Sequence, residues 1–227
     1  MRLIDTHSHL FLEEFSEDFP QVIERARAVG VTHIFMPNID STTIEAMLSA
    51  CSVYKGYCFP MIGLHPTSVN ANYEKELEIV ARELKFSKEY VAIGEIGMDL
   101  YWDKTYLKEQ QIVLDKQVNW ALEYDLPIVI HCRDAFDYIY KVLEPYKKTP
   151  LRGIFHSFTG TAEEATRVLE FSDFFIGING VVTFKKSHLP EILAGIPLEK
   201  IVLETDSPYL TPVPNRGKRN ESAYVKD

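Results

Sequence analysis

Short apolar runs rich in β-branched residues alternate with longer amphipathic stretches along the whole chain. The short runs predict eight β-strands, at residues 2–5, 32–36, 58–63, 91–94, 127–130, 153–155, 174–178 and 201–204. Between them, apolar positions three and four apart predict seven helices, at residues 19–29, 41–54, 73–85, 106–124, 135–146, 162–171 and 189–194. This alternation is typical of repeated βα units that build a parallel sheet.

Eight strands and seven helices in alternation predict an α/β fold, a TIM-like (β/α)8 barrel. A segment rich in proline follows the eighth strand, and residues 221–227 could begin an eighth helix, which would be incomplete in this chain. A length of 227 residues fits one domain, because α/β barrels of this size usually form a single core. No repeat or linker interrupts the pattern, so residues 1–227 are predicted to form one domain.

Composition and charge narrow the class of protein. No apolar run approaches the roughly 18 residues of a membrane span, and the first residues are too weakly apolar for a signal peptide. The three cysteines, Cys51, Cys58 and Cys132, are too few for a disulfide framework, so we expect a cytoplasmic protein with no membrane contact. A net charge of −9 argues against an extended contact with duplex nucleic acid but leaves short contacts open.

Histidines and carboxylates occur where the predicted strands end. His7 and His9 follow the first strand, and their spacing of two places both side chains on one face, where they can bind one metal ion. Asp5 precedes them and is a candidate for either a structural or a catalytic role. Four later strands end in the same way, at Glu95, His131, His156 and Asp206. Because the active site of a (β/α)8 barrel lies at the carboxyl ends of its strands, we expect these side chains to meet at one rim.

Imidazole and carboxylate ligands together suit Zn, Mn, Fe or Mg. The ligands divide into two predicted sets, His7, His9 and Asp206 for one ion, and Glu95, His131 and His156 for a second. Glu95 could bridge two ions, and ions about 3.5–4 Å apart can hold the attacking and leaving oxygens of a phosphoryl transfer. Asp206 could take a proton from metal-bound water, since the ion lowers the pKa of that water. Glu95 and Asp206 are therefore the candidate catalytic residues.

Six short motifs that contain histidines or carboxylates follow one another along the chain. They are Ile4-Asp5-Thr6-His7-Ser8-His9, Gly63-Leu64-His65-Pro66, Gly94-Glu95-Ile96-Gly97-Met98-Asp99, His131-Cys132-Arg133, His156-Ser157-Phe158-Thr159-Gly160 and Leu203-Glu204-Thr205-Asp206-Ser207-Pro208-Tyr209-Leu210. In this order they resemble the motifs of the TatD family of metal-dependent deoxyribonucleases in the amidohydrolase superfamily. A His-x-His after a strand is shared across the superfamily, whereas six ordered motifs are specific. The resemblance implies a TIM-like barrel, two divalent metal ions (Mg, Mn or Zn) and hydrolysis of DNA phosphodiester bonds, often from the 3′ end.

The resemblance also implies roles for single residues. It makes metal ligands of His7, His9, Glu95, His131, His156 and Asp206. His65 and Arg133 match positions that meet the substrate phosphate, while Glu204 and Tyr209 lie beside Asp206 and are candidate substrate contacts. Family members usually continue into a final helix that this chain lacks, so we expect the active protein to be longer.

Arg133 is a candidate on chemical grounds as well. It lies two residues past His131, and a guanidinium can bind a phosphate through two parallel hydrogen bonds. The alternative is a surface ion pair with Asp134 or Asp137.

Three functions are compared. The leading one is a divalent-metal-dependent hydrolase of DNA phosphodiesters, a 3′–5′ exodeoxyribonuclease acting on single-stranded ends, because a pit lined by loops suits a chain end. An amidohydrolase or lactonase acting on a small metabolite would use the same ligands, but Arg133, Lys218 and Arg219 favour a phosphate ester. A metal-binding protein without catalysis is the third and has no need of open metal positions. We expect a monomer or a weak oligomer.

Overall fold

Eight strands and seven helices alternate along the chain in a computed structural model that describes residues 1–227. The strands are β1 Leu3–Asp5, β2 Val31–Pro37, β3 Cys58–Met61, β4 Ile93–Asp99, β5 Ile128–Arg133, β6 Gly153–Phe155, β7 Phe174–Ile178 and β8 Ile201–Leu203. The helices are α1 Phe19–Ala28, α2 Ile44–Val53, α3 Tyr73–Phe86, α4 Leu107–Glu123, α5 Phe136–Leu143, α6 Ala162–Val168 and α7 Leu189–Leu193. None of these helices combines the length and the apolar character needed to cross a membrane.

The strands pair in parallel and in sequence order. β1 to β3 form one hydrogen-bonded group and β4 to β8 another. Two isolated parallel bridges join the groups, Ile62 with Ile93 on one side and Ser8 with Ser207 on the other. The backbone N–H of His9 also donates to the Ser207 carbonyl at 2.8 Å, which ties the chain after β8 to the chain after β1. The strands thus follow one another around a ring, and the predicted TIM-like (β/α)8 barrel is confirmed.

One large cluster of 49 buried apolar residues fills the space between the strands and the helices. Phe155 on β6 and Phe174 on β7 belong to it, with ring centroids 6.1 Å apart. Aromatic side chains of this kind each bury about 150–250 Å² and dominate core energetics. The rim residues therefore stand on strands that close packing holds in place.

β4 and β5 extend further than the sequence predicts. The apolar run ends at Gly94, yet β4 continues to Asp99, so that Glu95 lies within the strand and not after it. β5 likewise continues through His131 to Arg133. These polar positions remain in strands because the ladder between β4 and β5 pairs Gly97 with His131 and Asp99 with Arg133.

Gly97 allows β4 to approach β5 at this point. Its φ of +141° lies in the region that side chains disfavour, and a Cβ built there would be 2.0 Å from the His131 carbonyl oxygen. Only glycine fits, and the close approach brings Glu95 and His131 together.

The last residues of the chain form a short 3-10 helix, Ser222–Lys226, where the sequence predicts the opening of helix eight. Two ion pairs attach the residues just before this helix to α1 and to the residue that precedes α1. Arg25 contacts Glu221 at 2.6 Å, and Arg219 contacts Asp18 at 2.8 Å. The end of the chain therefore packs against α1.

Candidate metal centre

Five of the strands deliver polar side chains to one rim of the barrel. The six side chains predicted as ligands all converge there, and His65, which follows β3, joins them. The centre is largely removed from solvent, since His7, His9, Glu95 and His156 are each at most 4% exposed. Groups of this kind are rarely buried unless they pair with one another or bind a metal.

The Glu95 carboxylate occupies the middle of this cluster. Its Oε2 atom lies 3.1 Å from His7 Nε2 and 3.5 Å from His9 Nε2. Its Oε1 atom faces three other ring nitrogens, His131 Nδ1 at 2.8 Å, His156 Nε2 at 3.1 Å and His65 Nε2 at 3.3 Å. Each oxygen therefore faces its own set of imidazoles, which is the arrangement that a carboxylate bridging two ions requires.

Asp206 approaches the same centre from the loop after β8. Its Oδ1 atom lies 3.7 Å from His9 Nε2 and 3.8 Å from His7 Nε2. The residue has a φ of +59°, and its backbone N–H donates to the His7 carbonyl at 2.9 Å. Non-glycine residues in this region are uncommon and concentrate at functional sites. Burial raises the pKa of Asp206 to about 6.

The donor atoms fit divalent metal ions. Three groups have ligand atoms within 4.8 Å of one another, namely His7, His9 and Glu95; His7, His156 and Asp206; and His65, Glu95 and His131. The Nε2 atoms of His7 and His9 are 3.2 Å apart, close to the separation of about 3 Å expected for two nitrogens each about 2.1 Å from one ion. Mixed imidazole and carboxylate donors suit Zn, Mn or Fe, and carboxylate-rich sets suit Mg.

These groups differ from the predicted division into two sets. Glu95 shares a group with His7 and His9 as well as with His131, and His65, predicted as a substrate contact, lies among the candidate ligands. The difference arises because Glu95 lies in the middle of the cluster, where both of its oxygens have neighbours.

The electrostatics of the cluster also favour a cation. Burial alone would raise the pKa of Glu95, but the imidazoles of His65, His156 and His7 hold that pKa well below its usual value. Burial would likewise lower the pKa of His156, yet the carboxylates of Glu95 and Glu204 hold it well above its usual value. The imidazoles thus keep the Glu95 carboxylate ionised, and a bound divalent ion would act in the same direction.

Glu204 supports His156 from behind. Its Oε1 atom lies 3.2 Å from His156 Nδ1 and accepts a hydrogen bond from the Ser157 backbone N–H at 2.5 Å. Its side chain is fully buried, so the structure places it behind an imidazole and away from the open rim. Gly177 makes room for it, since a Cβ there would lie 2.5 Å from Glu204 Oε2.

Asp99 holds His131 in a similar way and has no role in the sequence-based prediction. Its Oδ2 atom lies 2.9 Å from His131 Nε2, on the opposite side of the ring from Glu95. A carboxylate behind a ligating imidazole fixes the tautomer and the orientation of the ring. The spacing of four along β4 is the signal that could have revealed it, because residues 95, 97 and 99 share one strand face.

Asp5 has a structural position. Its carboxylate accepts hydrogen bonds from the Thr205 backbone N–H at 2.9 Å, from the Thr205 hydroxyl at 2.7 Å and from the Ser222 hydroxyl at 2.5 Å. Burial raises its pKa to about 7. It therefore ties β1 to the loop after β8 and to the last residues of the chain.

Arg133 and Tyr209 stand at the open side of the rim. Arg133 is exposed and makes no ion pair, and Asp137 instead pairs with Arg167 at 2.6 Å. The guanidinium lies over the Tyr101 ring, with Cζ 3.7 Å from the ring centroid. Tyr209 is 50% exposed, and its backbone N–H donates to the Asp206 carbonyl at 2.8 Å. Both side chains can reach a molecule that approaches the centre from solvent.

A (β/α)8 barrel with buried imidazole and carboxylate donors at its carboxyl rim defines the class of protein as a metal-dependent hydrolase. A family model described as TatD related DNase matches residues 4–227, and the chain belongs to this family. The resemblance inferred from the six motifs is confirmed.

Relatives and a solved structure agree with this assignment. The chain is 39% identical over 225 residues to the uncharacterized metal-dependent hydrolase YabD of Bacillus subtilis strain 168. The aligned residues cover 99% of this chain and 87% of YabD. The chain is 31% identical over 229 residues to the 3′-5′ ssDNA/RNA exonuclease TatD of Pantoea ananatis, covering 98% of this chain and 87% of that protein. The crystal structure of the TatD homolog YjjV from Escherichia coli K12 matches with a TM-score of 0.91 at 30% identity, covering 99% of this chain and 86% of YjjV.

Proposed function

We propose that this hydrolase removes nucleotides from the 3′ ends of single-stranded nucleic acid, with two divalent ions bound at the rim. The observation that carries the proposal is the position of Glu95, whose two oxygens face separate sets of donors. A pair of ions bridged in this way suits in-line displacement at a phosphodiester. The relative named as a 3′-5′ ssDNA/RNA exonuclease supports the same substrate class.

Seven side chains would hold the ions, namely His7, His9, His65, Glu95, His131, His156 and Asp206. When bound, divalent ions polarise a phosphoryl oxygen and lower the pKa of coordinated water. The predicted catalytic pair keeps its roles in this proposal, Glu95 as the bridging carboxylate and Asp206 as the base.

In this proposal Asp206 accepts a proton at its carboxylate. It has the more open carboxylate of the pair, 14% exposed against 3% for Glu95. Glu204 and Asp99 would orient the imidazoles of His156 and His131, and the exposed rim residues would contact the substrate. Arg133 has its guanidinium free to bind a phosphate through two hydrogen bonds.

The overall charge limits how the strand is bound. A protein of net charge −9 can neutralise few phosphates, so we propose a short contact with a chain end and not with the middle of a duplex. We also propose action in the cytoplasm by a monomer or weak oligomer. The three free thiols, of which those of Cys51 and Cys58 are buried, suit a reducing compartment.

The test compares a linear single-stranded oligonucleotide with a covalently closed circle of the same sequence, in the presence of Mg, Mn or Zn. We expect cleavage of the linear strand alone, and a slope of log K against log salt of about −1.4 to −2.1, which corresponds to two or three phosphates. Equal cleavage of the circle, or a slope equivalent to about six phosphates, would defeat the proposal. A panel of lactones and cyclic amides tests for small-metabolite hydrolysis.

A further inference from the structure

Two large aromatic side chains stand exposed in the loop between β4 and α4. Tyr101 is 52% exposed and Trp102 is 75% exposed, whereas the other tryptophan of the chain, Trp120, is 8% exposed. A tryptophan in solvent forgoes the burial of about 150–250 Å² that usually places this residue in a core or an interface. The exposure of two such residues in one loop indicates that the loop is a binding surface.

The loop is joined directly to the metal centre. The Tyr101 backbone N–H donates to Asp99 Oδ1 at 3.0 Å, and the other oxygen of the same carboxylate lies 2.9 Å from His131 Nε2. The Leu100 backbone N–H donates to the Arg133 carbonyl at 2.9 Å, which extends the contact between β4 and β5 by one residue. The backbone that carries the aromatic pair is thus tied to a carboxylate that contacts a candidate metal ligand.

Arg133 completes the surface. Its Cζ lies 3.7 Å from the Tyr101 ring centroid and 5.4 Å from that of Trp102, within the range of cation–π contacts. The two rings are perpendicular, with centroids 4.7 Å apart. A guanidinium stacked on a ring keeps its in-plane N–H donors free, and no carboxylate of the protein engages those of Arg133. One cation and two aromatic rings are therefore offered to the same ligand.

A cavity of about 260 Å³ lies beside Trp102. It runs between the loop after β4 and the short turn that follows His65, and its walls include Pro66, Asn70, Asp99 and Tyr106. Two rim loops thus enclose a slot next to the centre, with Trp102 as one wall.

We propose that the Trp102 ring forms a platform on which an unpaired nucleobase stacks, while Arg133, stacked on Tyr101, binds a phosphate of the same strand. The proposal rests on the proposed function, because it assigns a subsite for the strand that the centre cleaves. Aromatic platforms bind bases with little sequence preference, since every base has a π-face. Aromatic and arginine residues also mark protein interfaces, but the link through Asp99 to His131 favours a ligand shared with the metal centre.

The test measures kcat/KM for a single-stranded oligonucleotide and for a strand of the same length made only of abasic nucleotides, which has no aromatic ring to stack. The ratio of the two values should fall about 5- to 100-fold in Trp102→Ala, the loss expected for one stacked base, and recover in Trp102→Phe. Phe86→Ala is the matched control, because Phe86 is 77% exposed at the end of α3 and also lies under a cation, that of Lys85. Its ratio should equal that of the wild type.

A second measurement removes the base instead of the ring. Oligonucleotides with one abasic nucleotide, placed in turn at each position from the 3′ end, should abolish the difference between wild type and Trp102→Ala at one position. Equal ratios in wild type and Trp102→Ala, or a difference that persists for every abasic substrate, would overturn the platform. A wild-type enzyme that cleaves bis-p-nitrophenyl phosphate but no oligonucleotide would instead overturn the proposed function, and the platform with it.

Discussion

Glu95→Gln tests whether one carboxylate serves two ions. Glu95 belongs to two of the three donor groups, and its oxygens face opposite sets of imidazoles. Glutamine keeps the shape of the side chain but offers one oxygen, because an amide nitrogen is a donor and not a metal ligand. The variant can complete one set of donors at a time, so we expect it to bind one equivalent of metal where the wild type binds two.

The size of the effect follows from the linkage between binding and folding. An ion present at 100 times its Kd adds about 2.7 kcal/mol to the free energy of unfolding. For a chain of this length 1 kcal/mol corresponds to about 2–4 °C in Tm. The rise in Tm caused by metal should therefore be about 5–11 °C smaller in Glu95→Gln than in the wild type.

The assay combines elemental analysis of the purified protein with thermal unfolding in chelator and in excess metal. Each protein is compared with its own chelated form, so any change in the metal-free fold cancels. Glu24→Gln is the control for the change in charge, since Glu24 is exposed on α1 and makes no ion pair. Two equivalents of metal in Glu95→Gln, with an undiminished rise in Tm, would refute the bridging role.

Two further perturbations test the surroundings of the centre. Asp99→Asn should weaken metal binding about 10- to 100-fold, because His131 loses the carboxylate that orients it. Competition with a chelator measures the metal affinity. An unchanged affinity would show that Asp99 does not support the metal site. Hydrogen bonds from Arg219 lower the pKa of Asp18 from 3.8 to about 2, so this pair stabilises the fold above pH 4 and loses its effect as the pH falls from 4 to 2. Arg219→Ala should therefore cost about 1 kcal/mol of pH-dependent stability at pH 7, after allowance for solvent screening. Denaturant unfolding at pH 7 and below pH 3 should show that difference shrink, and a constant difference would exclude the ion pair as its source.

The alternation of strands and helices could be predicted because its signals are local. A β-branched run such as residues 174–178 produces a strand, and apolar positions three and four apart produce a helix, whatever lies elsewhere in the chain. The candidate metal ligands could be predicted from local signals as well. A histidine or carboxylate at the end of an apolar run stands at the rim once the strands are parallel.

The extent of β4 could not be predicted in that way. Past Gly94 the sequence reads as a loop, because Glu95 and Asp99 are polar and glycine recurs. The residues remain in a strand because contacts with β5, made by residues more than thirty positions away, bury and pair them. The position of Glu204 behind His156 has the same origin, since 48 residues separate the two side chains in sequence.

The proposed stacking would resolve a conflict between the net charge of the protein and its proposed substrate. A chain of net charge −9 repels a polyanion, and the carboxylates of the centre add to that repulsion until cations neutralise them. Base stacking contributes binding free energy that needs no further positive charge. With Trp102 binding a base and Arg133 binding one phosphate, affinity for a strand would depend on metal at the reacting bond and on uncharged contacts beyond it. On this proposal, a weak salt dependence would follow from the same residues that would favour an unpaired strand, because a paired base has no free face to stack.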